Sequence, residues 1–297
     1  MTSKKDRKYN NILKIHVDST PKRRVLRTIQ KNVLKGQKFY IVTPNPEHIL
    51  IAQDDSEFKS ILNSANINIP DGVGLVAADR FLRLKGTKNR LFNSILYLLQ
   101  GMQVGFSIVF NREWLERDVK VIRGRDLFEE LVRVANKRGW RVFLLGGRGR
   151  IASLAGAELK KNYKKVKIET HPGCEYDREA NPNTREDKVI HEDTLKRINE
   201  FEPHLLFIAL GAPKQEYFIK KYLKDLNVVG AMVVGGAFDY YSGVRKMPPK
   251  ILANAGLEWL WRLATGSNSL GRILISFPAF PFKVFMAKLS QKGGVIV

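Results

Sequence analysis

The chain has 297 residues, of which 44% are hydrophobic, so it can bury a sizeable core as one large domain or two small ones. Its 51 Lys and Arg against 29 Asp and Glu give a net charge of +22, which predicts an anionic partner such as nucleic acid, a membrane surface or a phosphorylated substrate. The single cysteine, Cys174, excludes an intrachain disulfide and indicates a reducing compartment, and the polar N-terminus lacks the apolar run of a secretory signal.

Short apolar runs with β propensity alternate with amphipathic helical segments along the chain. The predicted strands are residues 12–17, 39–43, 141–145, 166–169, 204–210 and 229–234. The predicted helices are residues 24–34, 57–64, 74–84, 124–138, 150–163, 193–201 and 214–223. Because this alternation is typical of parallel sheets, the sequence predicts an α/β fold with a Rossmann-like, mainly parallel sheet and helices on both faces.

One segment, residues 91–111, contains no charged side chain and has about the length of a membrane-spanning helix, roughly 20 residues. Gly101 and Gly105 have a spacing that permits close helix packing in lipid, whereas polar side chains such as Gln100 argue against spanning. Three interpretations remain open: a surface that contacts the membrane or a partner, a helix or hairpin in the core, and a spanning helix. The segment belongs to an apolar insert at about residues 84–120.

The C-terminal region is cationic, with eight Lys or Arg and a single acid, Glu258, from residue 240 to the end. Within it, residues 270–289 mix aromatic and apolar side chains with cations, which is typical of the interface of an anionic bilayer. Two prolines in that stretch argue against one straight spanning helix. We therefore predict an α/β catalytic domain at residues 1–240 and a basic, helical, membrane-binding appendage at residues 241–297.

Five polar or glycine-rich clusters lie where strands end: 43–47 (TPNPE), 70–74 (PDGVG), 146–149 (GGRG), 211–216 (GAPKQE) and 235–239 (GGAFD). Ligands of parallel sheets bind outside the carboxyl ends of the strands, and glycines there let backbone N–H groups approach a phosphate. Any single cluster can equally be a tight turn, but their recurrence predicts a nucleotide or phosphate cleft. No dinucleotide fingerprint or P-loop is present, which argues against a dinucleotide or ATP.

Asp71 stands between Pro70 and Gly72, where a carboxylate can act as a general base on a hydroxyl group. An equally good interpretation is a cap for the helix that begins near Gly74. The sequence contains no Asp-x-Asp, and its five histidines lack the spacing of metal ligands. We therefore predict no catalytic metal and no other cofactor, so that Arg, Lys and backbone dipoles must neutralise any leaving-group charge.

Six motifs occur in the order found in the WecG/TagA/CpsF glycosyltransferases. They are 43–47 (TPNPE), 70–74 (PDGVG), 121–127 (VIRGRDL), 211–216 (GAPKQE), 235–243 (GGAFDYYSG) and 257–263 (LEWLWRL). The chain resembles this family over roughly residues 12–270, apart from the stretch 84–120. The resemblance implies an inverting, metal-independent transfer of N-acetylmannosamine or its uronic acid. The donor would be a UDP-sugar, and the acceptor would be N-acetylglucosamine on a polyprenyl diphosphate at the inner face of the membrane.

The resemblance also implies roles for individual residues. Asp71 resembles the catalytic base, with Thr43 and Asn45 as polar groups beside it. Twelve residues of the motifs match the donor site: Gly72, Arg123, Gly124, Asp126, Gly211, Pro213, Lys214, Gln215, Glu216, Gly235, Gly236 and Asp239. Gly146 and Gly147, from the glycine-rich cluster after a predicted strand, are further candidates for the donor site. Three residues match the cations near the acceptor or its diphosphate: Arg245, Arg262 and Arg272.

Two departures from the family pattern bear on substrate choice. Arg125 replaces an expected small residue, and 246–249 (KMPP) stands where Arg-Ala-Pro is usual, so a different hexose donor or acceptor is an alternative. The insert at 84–120 has no counterpart in familiar members. A nucleic-acid-binding protein and a non-catalytic membrane scaffold are weaker alternatives, because no nucleic-acid-binding motif is present and Asp71 is retained. A homo-oligomer is compatible with the sequence.

Overall fold

The computed structural model of the protein describes residues 8–266, 271 and 275–290. The described part of the chain starts with an antiparallel hairpin of β1 (Tyr9–Ile12) and β2 (Ile15–Asp18). The prediction of one strand at 12–17 is therefore wrong. Leu13 and Lys14 have φ of 49° and 66°, the backbone of a two-residue hairpin turn, and the propensity of the flanking residues gives no sign of that turn.

Six further strands form one parallel sheet in the order β4-β3-β8-β7-β5-β6. They are β3 (Phe39–Val42), β4 (Ile67–Asn68), β5 (Arg141–Gly146), β6 (Lys167–His171), β7 (Leu205–Ala209) and β8 (Gly230–Val233). Five of them lie where the sequence predicts strands. The sixth, β4, has only two residues and is too short to leave a pattern in the sequence.

Fourteen helices surround the strands in the described part of the chain. They are α1 (Lys22–Leu34), α2 (Pro46–Asp54), α3 (Ser56–Ser64), α4 (Val73–Arg83), α5 (Arg90–Phe110), α6 (Arg112–Leu115), α7 (Gly124–Arg138), α8 (Ile151–Asn162), α9 (Arg185–Phe201), α10 (Lys214–Tyr222), α11 (Ala237–Tyr241), α12 (Lys250–Asn254), α13 (Glu258–Ala264) and α14 (Phe280–Ser290). All seven predicted helices are present, although α9 starts eight residues earlier than predicted.

The sheet separates two hydrophobic cores. Side chains alternate along each strand, so Val142 and Leu144 of β5 enter one core while Phe143 and Leu145 enter the other. Helices α1, α7, α8 and α11 cover the first face, and α2, α3, α4 and α10 cover the second. The predicted α/β fold with helices on both faces is confirmed.

Helix α5 corresponds to the uncharged segment of the sequence. Only 17% of the stretch Phe92–Phe110 is buried, so the interpretation as a core helix or hairpin is wrong. By length and composition, this stretch is also long and apolar enough to cross a membrane. It is packed on one side against α4, α6 and α14, and its other side faces outward.

The C-terminal helix α14 packs against the sheet domain. Phe280 and Val284 are buried in the same core as α2 and α4. Before them, Phe277 has an extended backbone, as expected of a residue that precedes a proline, so the segment Ile275–Ala279 is kinked. A membrane-binding role for this region stays a prediction, as does the division of the chain at residue 240.

Candidate active site at the carboxyl ends of the strands

Parallel pairing brings the predicted clusters to one edge of the sheet. Thr43 follows β3, Asp71 follows β4, Gly235 follows β8 and Gly211 follows β7, while Gly146 ends β5. These five strands are neighbours in the order β4-β3-β8-β7-β5. Because the carboxyl ends of parallel strands share an edge, clusters far apart in sequence form one surface, which is where ligands of such sheets bind.

Asp71 is positioned by the backbone of two neighbouring segments. Its N–H donates to the carbonyl oxygen of Pro44 at 2.9 Å, and its Oδ1 accepts from the N–H of Gly124 at 3.3 Å. Gly124 is the first residue of α7, whose amino end favours negative charge. The residue that caps α4 is Gly72, with no side-chain bond, so the interpretation of Asp71 as the cap of that helix is wrong.

The electrostatic surroundings of Asp71 suit a proton acceptor. Burial raises the pKa of its carboxyl above the usual value, and the charge of Glu258 adds to that rise. The cations Arg262 and Arg125, with the Gly124 hydrogen bond, act in the opposite direction. A carboxylate with a raised pKa holds a proton more readily than an exposed aspartate does, which is the property required of a general base.

Thr43 packs against Gly124, the residue that donates to the Asp71 carboxylate. A Cβ atom on Gly124 would lie 3.3 Å from Thr43 Oγ1 and Cγ2, so the missing side chain lets α7 approach β3. The hydroxyl of Thr43 is oriented towards the carbonyl oxygen of Val233, at 3.4 Å. Gly124 thus contacts both of the predicted catalytic residues, Thr43 and Asp71.

Asn45 belongs to a chain of buried and partly buried polar groups that we name the strand-end network. Its Oδ1 accepts from the N–H of His48 at 3.2 Å and lies 2.7 Å from His48 Nδ1. His48 Nε2 lies 3.2 Å from Glu216 Oε1, which also accepts from Gln215 Nε2 at 2.9 Å. Gln215 Oε1 accepts from the N–H of Gly235 at 3.1 Å. The network therefore ties together the loops after β3, β7 and β8.

The burial of Gln215 and Glu216 limits which groups their side chains can contact. Glu216 is 0% exposed and Gln215 is 2% exposed. Their hydrogen-bonding groups are directed into the protein, and Glu216 Oε2 has no hydrogen-bond partner within the described part of the chain. This arrangement indicates that the two side chains position Asn45 and Gly235. The predicted contact with a donor stays a prediction.

On the other side of Asp71 lie Arg123, Arg125 and Arg262 around Glu258, a group that we name the arginine cluster. Arg123 Nε lies 2.7 Å from Glu258 Oε1. Arg125 makes a two-pronged ion pair with the same carboxylate, at 2.9 and 3.2 Å. Arg262 is farther away, at 3.7 Å, and its buried Nε has no hydrogen-bond partner among the described residues. One carboxylate thus holds three cations beside Asp71.

A second pair of charges lies next to this cluster. Arg245 Nη2 lies 3.2 Å from Asp239 Oδ2, and burial raises the pKa of Asp239 despite that cation. The guanidinium groups of Arg125 and Arg245 lie 5.1 and 5.6 Å from the centre of the Tyr240 ring. The ring of Tyr240 therefore connects the arginine cluster to the loop after β8.

The remaining predicted residues lie along the same edge, several with a structural reason of their own. A Cβ on Gly146 would lie 2.6 Å from the carbonyl oxygen of Ala209, so this glycine is required by close backbone packing. A Cβ on Gly147 would lie 2.8 Å from the side chain of Ile151. Asp126 pairs with Arg123 and Arg125 at 3.4 and 3.3 Å.

Five other residues of the predicted donor site lie in loops or at the starts of helices. Gly72, Gly211, Pro213, Lys214 and Gly236 precede or begin α4, α10 and α11. Arg272 lies outside the described residues. Within residues 8–266, 271 and 275–290, no group of three or more His, Cys, Asp and Glu could hold a metal ion. Activity without metal stays a prediction.

Sequence reasoning missed two residues of this site. His48 is one of the five histidines that lack metal-ligand spacing, but its position three residues after Asn45 is the spacing of a capping box, which the structure contains. The sequence analysis assigns no role in the site to Glu258. As the single acid among eight cations of the C-terminal region, it had a signal that pointed to an ion-pair role.

Comparison with known proteins agrees with the motifs. A family model described as "Glycosyl transferase WecG/TagA/CpsF family" matches residues 10–103 and 91–294, two stretches that overlap within α5. A relative from Bacillus subtilis (strain 168) is 28% identical over 254 residues, 85% of this chain and 81% of its own. One from Staphylococcus aureus (strain NCTC 8325 / PS 47) is 26% identical over 285 residues, 95% and 94% of the two chains. Both are named N-acetylglucosaminyldiphosphoundecaprenol N-acetyl-beta-D-mannosaminyltransferase.

Proposed function

Because the chain belongs to the WecG/TagA/CpsF glycosyl transferase family, as its motifs predicted, we propose that it transfers N-acetylmannosamine, or its uronic acid, from a UDP donor. The acceptor in this proposal is N-acetylglucosamine on a polyprenyl diphosphate, and the transfer inverts the anomeric centre. Family membership makes the chain a glycosyltransferase. The printed names of the two relatives support the sugar and the acceptor.

Asp71 performs the proton transfer in this proposal. Its carboxylate takes the proton of the acceptor hydroxyl, the freed oxygen bonds to the anomeric carbon of the donor, and the bond to UDP breaks with its electron pair leaving on the diphosphate. The observation that carries the proposal is the position of Asp71: it lies at the ligand-binding edge of the sheet, bonded to Gly124 at 3.3 Å, with a pKa raised by burial.

The arginine cluster supplies the positive charge for the leaving group. A departing diphosphate needs cations aimed at its oxygens, and guanidinium groups bind such oxygens through two parallel hydrogen bonds. Arg123 and Arg125 lie beside Asp71, where both pair with Glu258 and, at 3.4 and 3.3 Å, with Asp126. Arg262 lies 3.7 Å from Glu258, and its buried Nε has no hydrogen-bond partner among the described residues, which supports a transfer that proceeds without a metal ion.

Arg125 gives a reason to include a second donor class. The position is expected to hold a small residue, and here it carries a cation beside the proposed donor site. A cation at this point favours a donor sugar that itself carries a carboxylate, namely the uronic acid, over the neutral sugar. The alternative is a different hexose donor or acceptor.

The proposal places the enzyme in the cytoplasm, at the inner face of the membrane. A polyprenyl-linked acceptor stays in the bilayer, so the transferase has to reach it there. The net charge of +22 supports attraction to an anionic surface.

The test is a donor screen with purified protein. UDP-N-acetylmannosamine, its uronic acid and neutral UDP-hexoses are each offered with a lipid-diphosphate N-acetylglucosamine acceptor, and UDP release and the glycosidic product are followed. We expect turnover with one of the two mannosamine donors and product of inverted configuration. Turnover with only another hexose, or with retention of configuration, would overturn the proposal.

A further inference from the structure

Helix α5 presents an unusual outward face, which we name the α5 stripe. Its large exposed side chains recur at spacings of three and four residues along the whole helix, which places them on one side. They are Phe92, Ile95, Leu98, Leu99, Met102, Phe106, Val109 and Phe110. The helix has 21 residues, so the stripe is about 30 Å long. A solvated helix face normally carries charge, and this one carries none.

The opposite face of α5 is fixed to the protein. Tyr97 packs edge-on against Phe81 of α4, and Val104 and Ser107 are buried. Gln100 accepts from the ammonium of Lys288 at 2.7 Å and donates to the carbonyl oxygen of Lys85 at 2.9 Å. Because these contacts run along the helix, α5 lies flat on the domain surface and cannot cross a bilayer without detaching from α4 and α14.

The charge around the stripe matches an anionic surface. From Arg80 to Arg112 the sequence contains six Lys or Arg and no acid. Helix α14, packed on α5, adds exposed Phe282 and Met286 with the exposed cation Lys283 between them. Three of these cations, Arg80, Arg83 and Arg112, pair with nearby carboxylates, whereas Lys85, Lys88 and Lys283 are exposed. An apolar face with exposed cations beside it is typical of helices that lie in the interface of anionic membranes.

The carboxyl end of α5 reaches the mouth of the candidate active site. A Cβ on Gly256 would lie 3.3 Å from Ile108 Cγ2 of α5 and 3.3 Å from Val73 Cγ1. Val73 follows Asp71 by two residues, and Glu258 of the arginine cluster follows Gly256 by two. A surface that binds the α5 stripe therefore also lies close to the segments that hold Asp71 and Glu258.

We propose that the α5 stripe binds in the interfacial plane of an anionic bilayer and thereby sets the mouth of the active site against the membrane. This inference rests on the proposed function, because it assigns the stripe to the delivery of a lipid-linked acceptor. The occupant is a lipid surface, and a second copy of the chain is the competing outcome.

The test compares two triple variants in flotation with vesicles of phosphatidylcholine and phosphatidylglycerol. The stripe variant is Leu98→Gln, Met102→Gln and Phe106→Gln, all more than half exposed. The control is Leu34→Gln, Leu154→Gln and Val189→Gln, exposed apolar residues on other helices. We expect the stripe variant to lose about a hundredfold in vesicle affinity and the control to keep it, with unchanged melting temperatures in both.

Other outcomes overturn the inference. Equal vesicle binding by the stripe variant and the wild type would do so, as would wild-type binding that does not weaken when phosphatidylglycerol is removed. The wild type could also fail to bind vesicles and form a dimer in light scattering. If the stripe variant is then a monomer, the α5 stripe is an interface between two copies of the chain.

A second measurement separates this inference from the proposed function. With a short-chain, water-soluble acceptor, the stripe variant should turn over like the wild type. With a long-chain acceptor in vesicles it should be slower. If neither protein uses a diphosphate-linked acceptor but flotation still depends on the stripe, the proposed function fails and the membrane inference stands.

Discussion

Two polar groups flank Asp71, and they are built in opposite ways. The strand-end network is mainly interior: Glu216 is 0% exposed and contacts the side chains of His48 and Gln215, while Gln215 accepts from the N–H of Gly235. The arginine cluster is partly open, with 35% of the Arg262 side chain exposed, and it holds three cations around one carboxylate. The first arrangement fixes loops in place, whereas the second keeps a partly exposed cation, Arg262, available to a ligand.

The difference teaches where specificity resides in this site. A buried network whose members mainly satisfy each other has little freedom to change partners, since each lost hydrogen bond leaves a buried polar atom unpaired. A half-exposed cation can exchange a carboxylate for a phosphate at little cost. We therefore expect changes in the network to act on stability and changes in the cluster to act on titration and binding.

The largest effect is expected at Asp71, which lies between the two groups. Asp71→Asn should lower turnover by about 10²–10⁴-fold, because the proton acceptor is lost while the shape is kept. Steady-state kinetics with the preferred donor measure this change. Near-normal turnover would remove Asp71 from the mechanism.

The melting temperature of Asp71→Asn shows whether a loss of activity comes from damage to the fold. The pKa of Asp71 is raised in the folded state, so folding binds a proton, and stability is lost as pH rises from the unfolded pKa through the folded one. The charged form is thus a net cost to folding above the folded pKa, and Asp71→Asn should melt no lower than the wild type. A lower melting temperature would show that lost activity reflects damage to the fold.

The next effect tests the structural role of the network. Glu216→Ala removes the acceptor shared by His48 and Gln215 and leaves a cavity, which should lower the free energy of unfolding by about 2–4 kcal/mol. Urea denaturation measures it, with Glu57→Ala on the exposed side of α3 as the matched control. Equal losses in the two variants would contradict the distinction between network and surface.

A smaller effect tests the arginine cluster through the pH dependence of kcat. The charge of Arg125 lowers the pKa of Asp71 and that of Glu258 raises it. Arg125→Ser should therefore move the acid limb of the profile to higher pH, and Glu258→Gln should move it to lower pH. The two variants serve as controls for each other, because a shift of both in the same direction is incompatible with this electrostatic coupling.

The last prediction is that removal of metal ions leaves turnover unchanged. If the arginine cluster neutralises the leaving diphosphate, EDTA should leave turnover unaltered. The measurement is UDP release with and without chelator, followed by addition of Mg²⁺ or Mn²⁺. Loss of activity that a metal ion restores would show that the cluster alone does not provide the charge.

Local pattern was sufficient for the sheet and for the position of Asp71. Apolar runs alternating with amphipathic helices predicted the parallel sheet, and parallel pairing by itself brings strand ends such as Thr43 and Gly235 to one edge. The sequence therefore determined the fold class and where the site had to lie. It failed locally at residues 12–17, because a two-residue turn of β-forming segments leaves no break in hydrophobicity.

Only the tertiary structure decided the partners of the site and the exposure of α5. Glu258 meets Arg125 across 133 residues and Glu216 meets His48 across 168, separations at which no spacing rule operates. The uncharged composition of α5 fits a core helix and an exposed one equally, because burial depends on what packs against a helix as well as on its residues. Periodicity along the chain reports local geometry, whereas pairing between distant side chains follows from the packed fold.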